Sequence, residues 1–225
     1  MIGKELPLNH IVNNDFKQIA FERRSSRYLD PDYKVSHEEI EEIINETNCI
    51  TPSAVDTQPF MFLIVDTEEG ADKLDSIMRG SDKDRVNRCS FAVVPFADRE
   101  WISYLDELIE LDKTVEPEKF SEELWAMLPV GTYKWYQELT EGDGSYLDKS
   151  VNFQAGMACM SFQFVCRAHG LDTSVMDSWD PDMLGELFDI DLDRYIPEVA
   201  IAVGKSLGST YERYRYPAEK KIFWR

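Results

Sequence analysis

Residues 150–170 read SVNFQAGMACMSFQFVCRAHG, a stretch that is apolar on most sides when it is drawn as a helix. Its middle carries four small residues, namely Ala155, Gly156, Ala158 and Cys159. Gly170 follows in the position that a helix C-cap favours, so we predict a long helix from about Leu147 to His169. Such a helix belongs at the centre of a core or of an interface, and we expect the other elements to pack around it.

Two short apolar runs predict buried strands: FMFLIV at 60–65 and FAVVPFA at 91–97. Pro95 lies inside the second run, and because proline lacks an amide hydrogen we expect an edge position or a strand end there. PEVAIAVGK at 197–205 predicts a last strand. Several helical segments separate these strands without a regular alternation, which predicts an α+β sandwich.

The remaining helices are predicted from apolar residues at helical spacing. They cover 11–20, 36–47, 68–78 and 181–190. Ser36 and Glu39 have the spacing of a capping box at the start of the second of these helices. Residues 99–145 are charged and helical in pattern, and they predict an excursion from the core. Because no flexible linker interrupts the chain, we expect one domain over residues 1–225.

The chain is strongly acidic, with a formal net charge of -19 that comes from 24 Lys and Arg against 43 Asp and Glu. Such a surface repels phosphates on average, so we expect no nucleic-acid partner. The sequence has no apolar run of membrane-spanning length, and its N-terminus lacks the apolar stretch of a secretory signal. We therefore expect a cytoplasmic protein without a membrane partner.

Cysteine and histidine spacing predicts no metal site. The four cysteines show neither the spacing of zinc ligands nor that of a disulfide framework, and we interpret them as buried thiols: Cys49, Cys89, Cys159 and Cys166. Among the scattered histidines, His37 is interpreted as a surface residue at a helix N-terminus and His169 as a charge at a helix C-terminus. The chain also lacks a glycine-rich nucleotide loop and a nucleophile elbow, which argues against Rossmann, P-loop and serine-hydrolase chemistry.

Positive charge is concentrated in three separated segments of this acidic chain: RRSSR at 23–27, DKDRVNR at 82–88 and YERYRYPAEKKIFWR at 211–225. The first segment has two interpretations. Its arginines favour the negative end of a helix and otherwise face solvent. Alternatively, arginine forks and serine hydroxyls clamp a phosphate or a similar anion, with the other two segments converging on it. Spacing alone leaves both interpretations open.

The stretch 23–65 contains an Arg-Arg-Ser-x-Arg run, an amphipathic helix and then PSAVDTQPF leading into a strand. It resembles the N-terminal signature of the nitroreductase family. HGLDTSVMDSWDPDMLGELFDI at 169–190 is similar to a family turn with its short helix, and 197–223 is similar to the last strand with its basic tail. The resemblance covers most of the chain outside 99–145. It implies a three-layer sandwich around a mainly antiparallel sheet, in an intertwined homodimer.

The resemblance also implies a non-covalent FMN at each of two sites between the subunits. The positions matching the contacts to the phosphate, the ribityl chain and the ring edge are Arg23, Arg24, Ser25 and Arg27. Those matching C-terminal phosphate contacts are Arg213 and Arg215. Those matching a loop that reaches the flavin from the partner are Pro52, Ser53, Ala54 and Asp56. The positions beside the N5 edge are Asp177 and Ser178. The position matching a cation near N1 and O2 is Arg85, and Arg27 is the alternative candidate for that role.

This chain departs from the family pattern at three places near the implied flavin. Asp56 stands where asparagine is usual, so a carboxylate that repels reduced flavin replaces an amide donor. Phe60 stands where tryptophan is usual after Gln-Pro, and the turn at 170–178 lacks a second glycine. These differences bear on substrate access and on the potential of the flavin.

The activity that the resemblance implies is hydride transfer from NADH or NADPH through flavin N5 to a nitroaromatic, quinone or similar conjugated acceptor, in a ping-pong cycle. No protein side chain is then needed as a catalytic acid or base, because the cofactor carries the chemistry. Two alternatives stay open. One is a family relative that acts on enoates or halogenated aromatics, and the other is a flavin-binding or sensing protein with little turnover.

Overall fold

A computed structural model describes residues 10–115, 121–123, 127, 134, 138–139, 144–208 and 212–225. Its helices are α1 His37–Ile50, α2 Glu68–Ser76, α3 Leu105–Val115, α4 Gly144–Ala168 and α5 Leu184–Phe188. Its strands are β1 Phe60–Val65, β2 Phe91–Asp98, β3 Asp172–Met176, β4 Tyr195–Pro197 and β5 Ala200–Gly204. Short helical turns connect several of these elements, and the first of them is Lys17–Phe21.

The strands form one sheet in the order β1-β2-β5-β3, and β4 pairs with β2 beside β5. The pairings between these five strands are all antiparallel, whereas the isolated bridge between Ser25 and Thr173 is parallel. One face of the sheet packs against α1 and α4 through a buried cluster that includes Ile43, Val93 and Phe162. The other face packs against α2 and α5 through Leu74, Val94 and Leu184. The α+β sandwich with a mainly antiparallel central sheet is therefore confirmed.

Helix α4 is the central helix that 150–170 predicts, with bounds within a few residues of the expected ones. Phe162 and Cys166 on this helix are completely buried. Gly170 ends it with φ +70, a left-handed conformation that glycine adopts without steric cost. The amides of Gly170 and Leu171 donate to the oxygens of Arg167 and Cys166, at 3.0 and 2.8 Å. These bonds satisfy carbonyls that the end of the helix leaves open.

The capping box at the start of α1 is also confirmed, since the Ser36 hydroxyl accepts a hydrogen bond from the Glu39 amide at 3.2 Å. The prediction for the segment before it was wrong in extent, because only the single turn Lys17–Phe21 lies in helical conformation within 11–20. The amides of Val12 and Asn13 instead donate to the Ala168 oxygen, at 3.0 and 2.9 Å. Residues 11–15 are thus not helical, and two of their amides cap the C-terminus of α4.

The position of Pro95 differs from the prediction, because β2 lies inside the sheet rather than at its edge. Residues 91–93 of β2 pair with β5, whereas residues 96–98 pair with β4. Pro95 falls between these two sets, where its oxygen accepts a hydrogen bond from the Glu198 amide at 2.9 Å. In a strand, the N–H and C=O groups of one residue point to the same side. Pro95 therefore lacks an N–H on the side where the partner of β2 changes from β5 to β4.

Two strands and one cysteine differ from expectation. β3 and β4 were not predicted, because the sequence of β3 mixes polar and apolar residues and β4 has only three residues. Cys89, Cys159 and Cys166 are buried as expected, and burial raises the pKa of Cys89 to about 11 and that of Cys159 to about 12. Cys49 is exposed at the end of α1, so its interpretation as a buried thiol was wrong.

The predicted excursion begins with Trp101, which is only 2% exposed and packs under α4 beside Val151 and Ala155. Helix α3 follows it, and most of 116–143 lies outside the described residues. No helix in the described ranges is both long and apolar enough to cross a membrane.

Glu198 gives the fold a testable pH dependence. One of its carboxylate oxygens, Oε1, is buried without a hydrogen-bond donor among the described residues, and burial raises the Glu198 pKa to about 7. The folded state thus holds this proton more tightly than the unfolded state does, whose pKa lies at the ordinary value of 4.5. The contribution of Glu198 to the free energy of unfolding therefore falls as the pH rises from about 4.5 to about 7. Above pH 7 the full cost of burying the charged carboxylate remains.

The variant Glu198→Gln removes this ionisation. At pH 8 we expect the variant to be more stable than the wild type by about 1–2 kcal/mol. The Glu198 pKa differs by 2.5 between the folded and the unfolded state (7 minus 4.5), and the free energy that corresponds to this difference is discounted because the side chain is partly exposed. Near pH 4.5 the two proteins should differ little. Urea unfolding at both pH values measures the effect, with the exposed Glu186→Gln as control. A Glu198→Gln effect that is the same at both pH values would contradict the assignment.

Candidate functional site

Arginines from the first and third basic segments meet around a cavity of about 190 Å³. The residues that line it are Arg23, Arg24, Ser25, Arg27, Glu212, Arg213 and Arg215. Six of the thirteen candidate positions implied by the resemblance therefore lie around one cavity within a single chain. We call this group of five arginines and Ser25 the arginine site.

The backbone around the arginine site is fixed by its pairing with the sheet. Ser25 forms a bridge with Thr173 of β3, and the Ser26 amide donates to the Thr173 oxygen at 2.8 Å. The Ser26 hydroxyl also bonds to the hydroxyl of Ser206 just after β5, at 2.7 Å. The C-terminal tail then returns to the site, where Arg213 Nη2 donates to the Arg23 oxygen at 2.5 Å.

Arg23 is held by the central helix. Its Nη1 donates to Gln163 Oε1 of α4 at 3.1 Å, whereas its Nε is buried and has no acceptor among the described residues. Burial lowers the pKa of Arg23, and the charges of Arg213 and Arg24 lower it further. This guanidinium is therefore partly desolvated among other cations, and it retains an unused donor.

Four cations of the arginine site form no ion pair among the described residues. Within the described part of the chain, no carboxylate oxygen lies within ion-pair distance of Arg23, Arg24, Arg213 or Arg215, although the arginines elsewhere that form such pairs include Arg85, Arg99 and Arg194. Arg24 Nη1 does donate to the Phe21 oxygen at 3.0 Å, so the helix-end interpretation holds for this one residue. Concentrated positive charge without counter-ions is the arrangement expected of an anion site.

The second basic segment adjoins the arginine site through Arg27. A second cavity, of about 350 Å³, is lined by Arg27, Tyr28, Ser81, Lys83, Asp84, Arg85 and Arg88. Arg27 lines both cavities, so the three basic segments converge as the anion-binding interpretation expects. This arrangement requires the chain to bring residues 27 and 85 together, which spacing alone did not show.

Asp82 connects Arg85 to the turn that contains Asp177 and Ser178. Its Oδ1 lies 2.5 Å from Arg85 Nη1, and its Oδ2 accepts a hydrogen bond from the Ser178 amide at 3.3 Å. The Arg85 charge is thus partly neutralised. Asp177 and Ser178 are exposed beside this pair.

The loop at 52–56 lies at a different place on α4. The Ala54 amide donates to Gln154 Oε1 at 2.7 Å, and the Ser53 hydroxyl accepts from the Gln58 amide at 3.0 Å. Gln154 precedes Gln163, the contact of Arg23, by nine residues, which is roughly 14 Å along a helix axis. Within one chain the structure therefore does not bring Pro52, Ser53, Ala54 and Asp56 to the arginine site.

The same loop stores backbone strain. Asp56 has φ +56 and Gln58 has φ +47, a conformation that costs a residue with a side chain on the order of 1 kcal/mol or more. The Gln58 Nε2 atom lies 3.4 Å from the oxygen and the Oδ1 atom of Asp56, which gives its amide only long contacts. Strain of this kind accumulates at binding loops, because the surrounding structure must hold them in a set shape.

Sequence reasoning missed the residues that hold the arginines in place. They are Gln163, Thr173, Ser206 and Asp82. Gln163 offered a signal, because it is a polar residue in the apolar segment 150–170, and the structure buries it. The others carry no signal of their own, since Ser, Thr and Asp are common at strand ends and in turns.

The two histidines with an interpretation lie at helix ends as expected. His169 directly follows α4, where it is only 3% exposed and lies between Glu39 and Glu46 of α1. His37 is exposed at the start of α1 as expected, with its Nε2 atom 2.5 Å from Asp66 Oδ2.

Comparisons with known proteins agree on one family. The model of the family described as "Nitroreductase family" matches residues 20–205. A Bacillus subtilis (strain 168) protein named as a candidate NAD(P)H nitroreductase, YdgI, is 31% identical over 96% of this chain and 100% of its own length. The CLA biosynthesis enone reductase of Lactiplantibacillus plantarum is 26% identical over 94% of this chain and 95% of its own. The crystal structure of a candidate nitroreductase from Exiguobacterium sibiricum 255-15, in complex with FMN, superposes with a TM-score of 0.86 at 29% identity, covering 95% of this chain and 98% of that one.

Proposed function

The chain belongs to the nitroreductase family, and from this premise we propose that it is an FMN-dependent oxidoreductase that passes hydride from NADH or NADPH to a conjugated acceptor. The observation that carries the proposal is the arginine site, whose Arg23, Arg24, Arg213 and Arg215 have no carboxylate partner among the described residues. A chain with a net charge of -19 has a physical reason to concentrate cations in this way if it must hold an anionic cofactor.

The phosphate of FMN fits the arginine site. It carries a double negative charge and accepts several hydrogen bonds, and arginine forks donate such bonds in pairs. Arg23 has a buried Nε donor without an acceptor, which a phosphate oxygen would satisfy. We assign the phosphate to Arg23, Arg24, Arg213 and Arg215, and the ribityl chain and the ring edge to Ser25 and Arg27.

The ring end of the cofactor is assigned to the second cavity. Arg85 lines this cavity, its partner Asp82 accepts a hydrogen bond from the Ser178 amide, and Arg27 lines both this cavity and the arginine site. A cation near N1 and O2 stabilises the negative charge that a reduced flavin carries. Arg85 and Arg27 are both candidates for this role, and Asp82 partly neutralises the charge of Arg85.

The chain's own residues bind and orient in this account, while bound FMN supplies the hydride chemistry. No side chain is assigned as a catalytic acid or base. The protein fixes the phosphate and the ring edge, and it excludes water from the face at which the nicotinamide and the acceptor bind in turn.

We further propose that two chains share each site in a homodimer. The loop Pro52–Asp56 contacts α4 roughly 14 Å from the contact of Arg23, so a contribution to the flavin site comes from the partner's loop. Large apolar side chains that a single chain leaves exposed support such an interface, namely Val12, Phe16, Phe21, Phe153, Phe223 and Trp224. Apolar surface of this extent is typical of a protein–protein contact.

Nitroaromatics and quinones are the acceptors that we propose first. Because one relative is named an enone reductase, we propose enones as a second class of acceptor. A flavin-binding protein with little turnover is a further candidate, favoured by the exposed carboxylate of Asp56 in the strained loop, which would disfavour a reduced flavin.

Steady-state oxidation of NADH and NADPH with menadione, nitrofurazone or a conjugated enone tests the proposal. We expect turnover that requires both the acceptor and bound flavin, with the preferred acceptor identifying the substrate class. Bound FMN without turnover for any acceptor would instead support a flavin-binding protein. The reaction without acceptor is the control for direct oxidation by oxygen.

A further inference from the structure

A buried cluster of ionisable residues lies between α1 and the end of α4, away from every residue assigned to the flavin. It consists of Glu39, Glu42, Glu46 and His169, with His10 on its outer side. Glu42 is 6% exposed, and Glu46 and His169 are each 3% exposed. Burying carboxylates is costly unless they are paired with cations or bind a metal.

The sequence brings these groups together from three parts of the chain. Glu39, Glu42 and Glu46 are spaced by three and four residues, so they lie along one face of α1. His169 follows the last residue of α4. His10 is placed by the extended segment after it, whose Val12 and Asn13 amides donate to the Ala168 oxygen.

Glu39 sets the orientation of the His169 ring. Its Oε1 lies 3.2 Å from His169 Nδ1, whereas Glu46 Oε2 lies 3.1 Å from His169 Nε2. A neutral imidazole has only one N–H group, so it donates to only one of these two carboxylates. If Nδ1 donates to Glu39, then the lone pair of Nε2 faces the carboxylate of Glu46. The His169 nitrogen and the Glu46 oxygen would then both present lone pairs, so a cation must lie between them, either a proton or a metal ion.

Glu46 has a second unmet requirement. Its Oε1 is buried and has no hydrogen-bond donor among the described residues. The orphaned oxygen and the facing nitrogen are both electron-pair donors, and both would be satisfied by one metal ion.

We propose that Glu42, Glu46 and His169 bind a divalent transition-metal ion, with Zn²⁺ as the ion that their mixed imidazole and carboxylate ligands suit. One ligand atom from each of the three residues lies within 4.8 Å of the other two. Zinc ligands at about 2.0–2.2 Å in a tetrahedron are separated by about 3.3–3.6 Å, close to the 3.1 Å between His169 Nε2 and Glu46 Oε2.

Glu39 and His10 complete the proposed site in different ways. Glu39 acts as a positioning residue, because a carboxylate on the outer nitrogen of a metal-bound histidine fixes its tautomer. His10 Nδ1 lies 2.5 Å from Glu42 Oε2, and the ring stacks on His169 with the ring centroids 6.3 Å apart. The His10 amide also donates to Glu42 Oε1 at 3.2 Å, so His10 holds this ligand from the outer side of the site. A metal at this place fastens the N-terminal segment to α1 and α4, so its role is structural.

The competing account is a proton in place of the metal, with a doubly protonated His169 donating to both Glu39 and Glu46. Metal content distinguishes the two. The purified flavin-loaded protein is dialysed against a chelator, then against buffered Zn²⁺, and bound zinc is counted per subunit by mass spectrometry. We expect zinc in proportion to the subunits in the wild type, and a higher midpoint of thermal unfolding with Zn²⁺ than without it.

Matched variants locate the ion. Glu46→Gln and His169→Gln should lose the bound zinc, whereas Glu41→Gln, an exposed residue of the same helix, should retain it. His37→Gln is the matched histidine control, since the exposed His37 beside Asp66 could take up zinc at the surface. Glu39→Gln, a milder change that keeps all three ligands, should weaken zinc binding by about 10- to 100-fold.

Two results would overturn the metal site. One is a wild type that takes up no more zinc than the Glu46→Gln protein. The other is zinc uptake that His37→Gln abolishes and Glu39→Gln leaves unchanged. Should the Glu46→Gln and His169→Gln proteins fail to fold, the zinc content of the wild type and the Glu39→Gln and His37→Gln proteins still decides the question. Neither the zinc content nor the midpoint of thermal unfolding depends on oxidoreductase activity.

Discussion

Replacing Arg23 or Arg215 with alanine is expected to weaken FMN binding by about 10- to 150-fold, which corresponds to the loss of one charge-assisted hydrogen bond of about 1.5–3 kcal/mol. Both guanidinium groups line the arginine site and lack a carboxylate partner among the described residues. Arg23 should show the larger loss of the two. Its buried Nε has no other acceptor, whereas Arg215 is exposed and already donates to the Tyr214 oxygen.

Titration of flavin-free protein with FMN, followed by the quenching of flavin fluorescence, measures this effect. Arg23→Lys should give an intermediate affinity, because it keeps the charge but loses the paired donors of the guanidinium. Lys73→Ala is the control, since it removes a cation that pairs with Glu69 on α2 outside the site. An FMN affinity that stays at the wild-type value in both Arg23→Ala and Arg215→Ala would remove these residues from the phosphate site.

The second large effect concerns the sharing of each site by two chains. Arg23→Glu should abolish FMN binding by placing a negative charge against the phosphate. Pro52→Trp should also abolish it, by filling the space that the partner's flavin requires. Pro52 is exposed in a single chain, so the larger side chain should leave the packing of its own subunit intact.

A heterodimer of these two variants should recover about half of the wild-type FMN content. One of its two sites combines the intact arginine with the intact loop, and the other combines both changes. Co-expression with two different affinity tags isolates the heterodimer, and its released FMN is then counted per subunit. No recovery in the heterodimer, or full FMN binding by Pro52→Trp alone, would contradict a shared site.

The sequence predicts the fold best where a single element carries a complete local signal. The 150–170 segment combines a continuous apolar character with a terminal glycine, and α4 ends at Gly170 as expected. The capping box at Ser36 and the apolar runs that form β1 and β2 are likewise local features. Propensity and periodicity suffice for them, because their neighbours in the chain determine their conformation.

Prediction failed where a distant part of the chain decides the conformation. Residues 11–15 are not helical because two of their amides bond to the Ala168 oxygen, and the position of Pro95 follows from a change of partner strand. β3 is polar in part because its Thr173 pairs with the segment of Ser25 and Ser26. None of these partners is near in sequence.

The partners of the charged groups also could not be predicted from the sequence. The clustering of arginines in three segments indicated an anion site, but only the fold shows that Arg27 lies between the two cavities and that Asp82 neutralises Arg85. The spacing of the α1 glutamates gave no sign of a buried cluster. His169, more than a hundred residues away, reveals that this face is buried.

The visible absorption spectrum of the freshly purified protein, followed by heat release and chromatography of any chromophore, tests the central claim most directly. The account predicts the bands of oxidised flavin and the release of FMN in proportion to the subunits. A colourless protein that also fails to take up added FMN would contradict it. The arginines at 23–27 would then serve only the end of a helical turn and the surface of the protein.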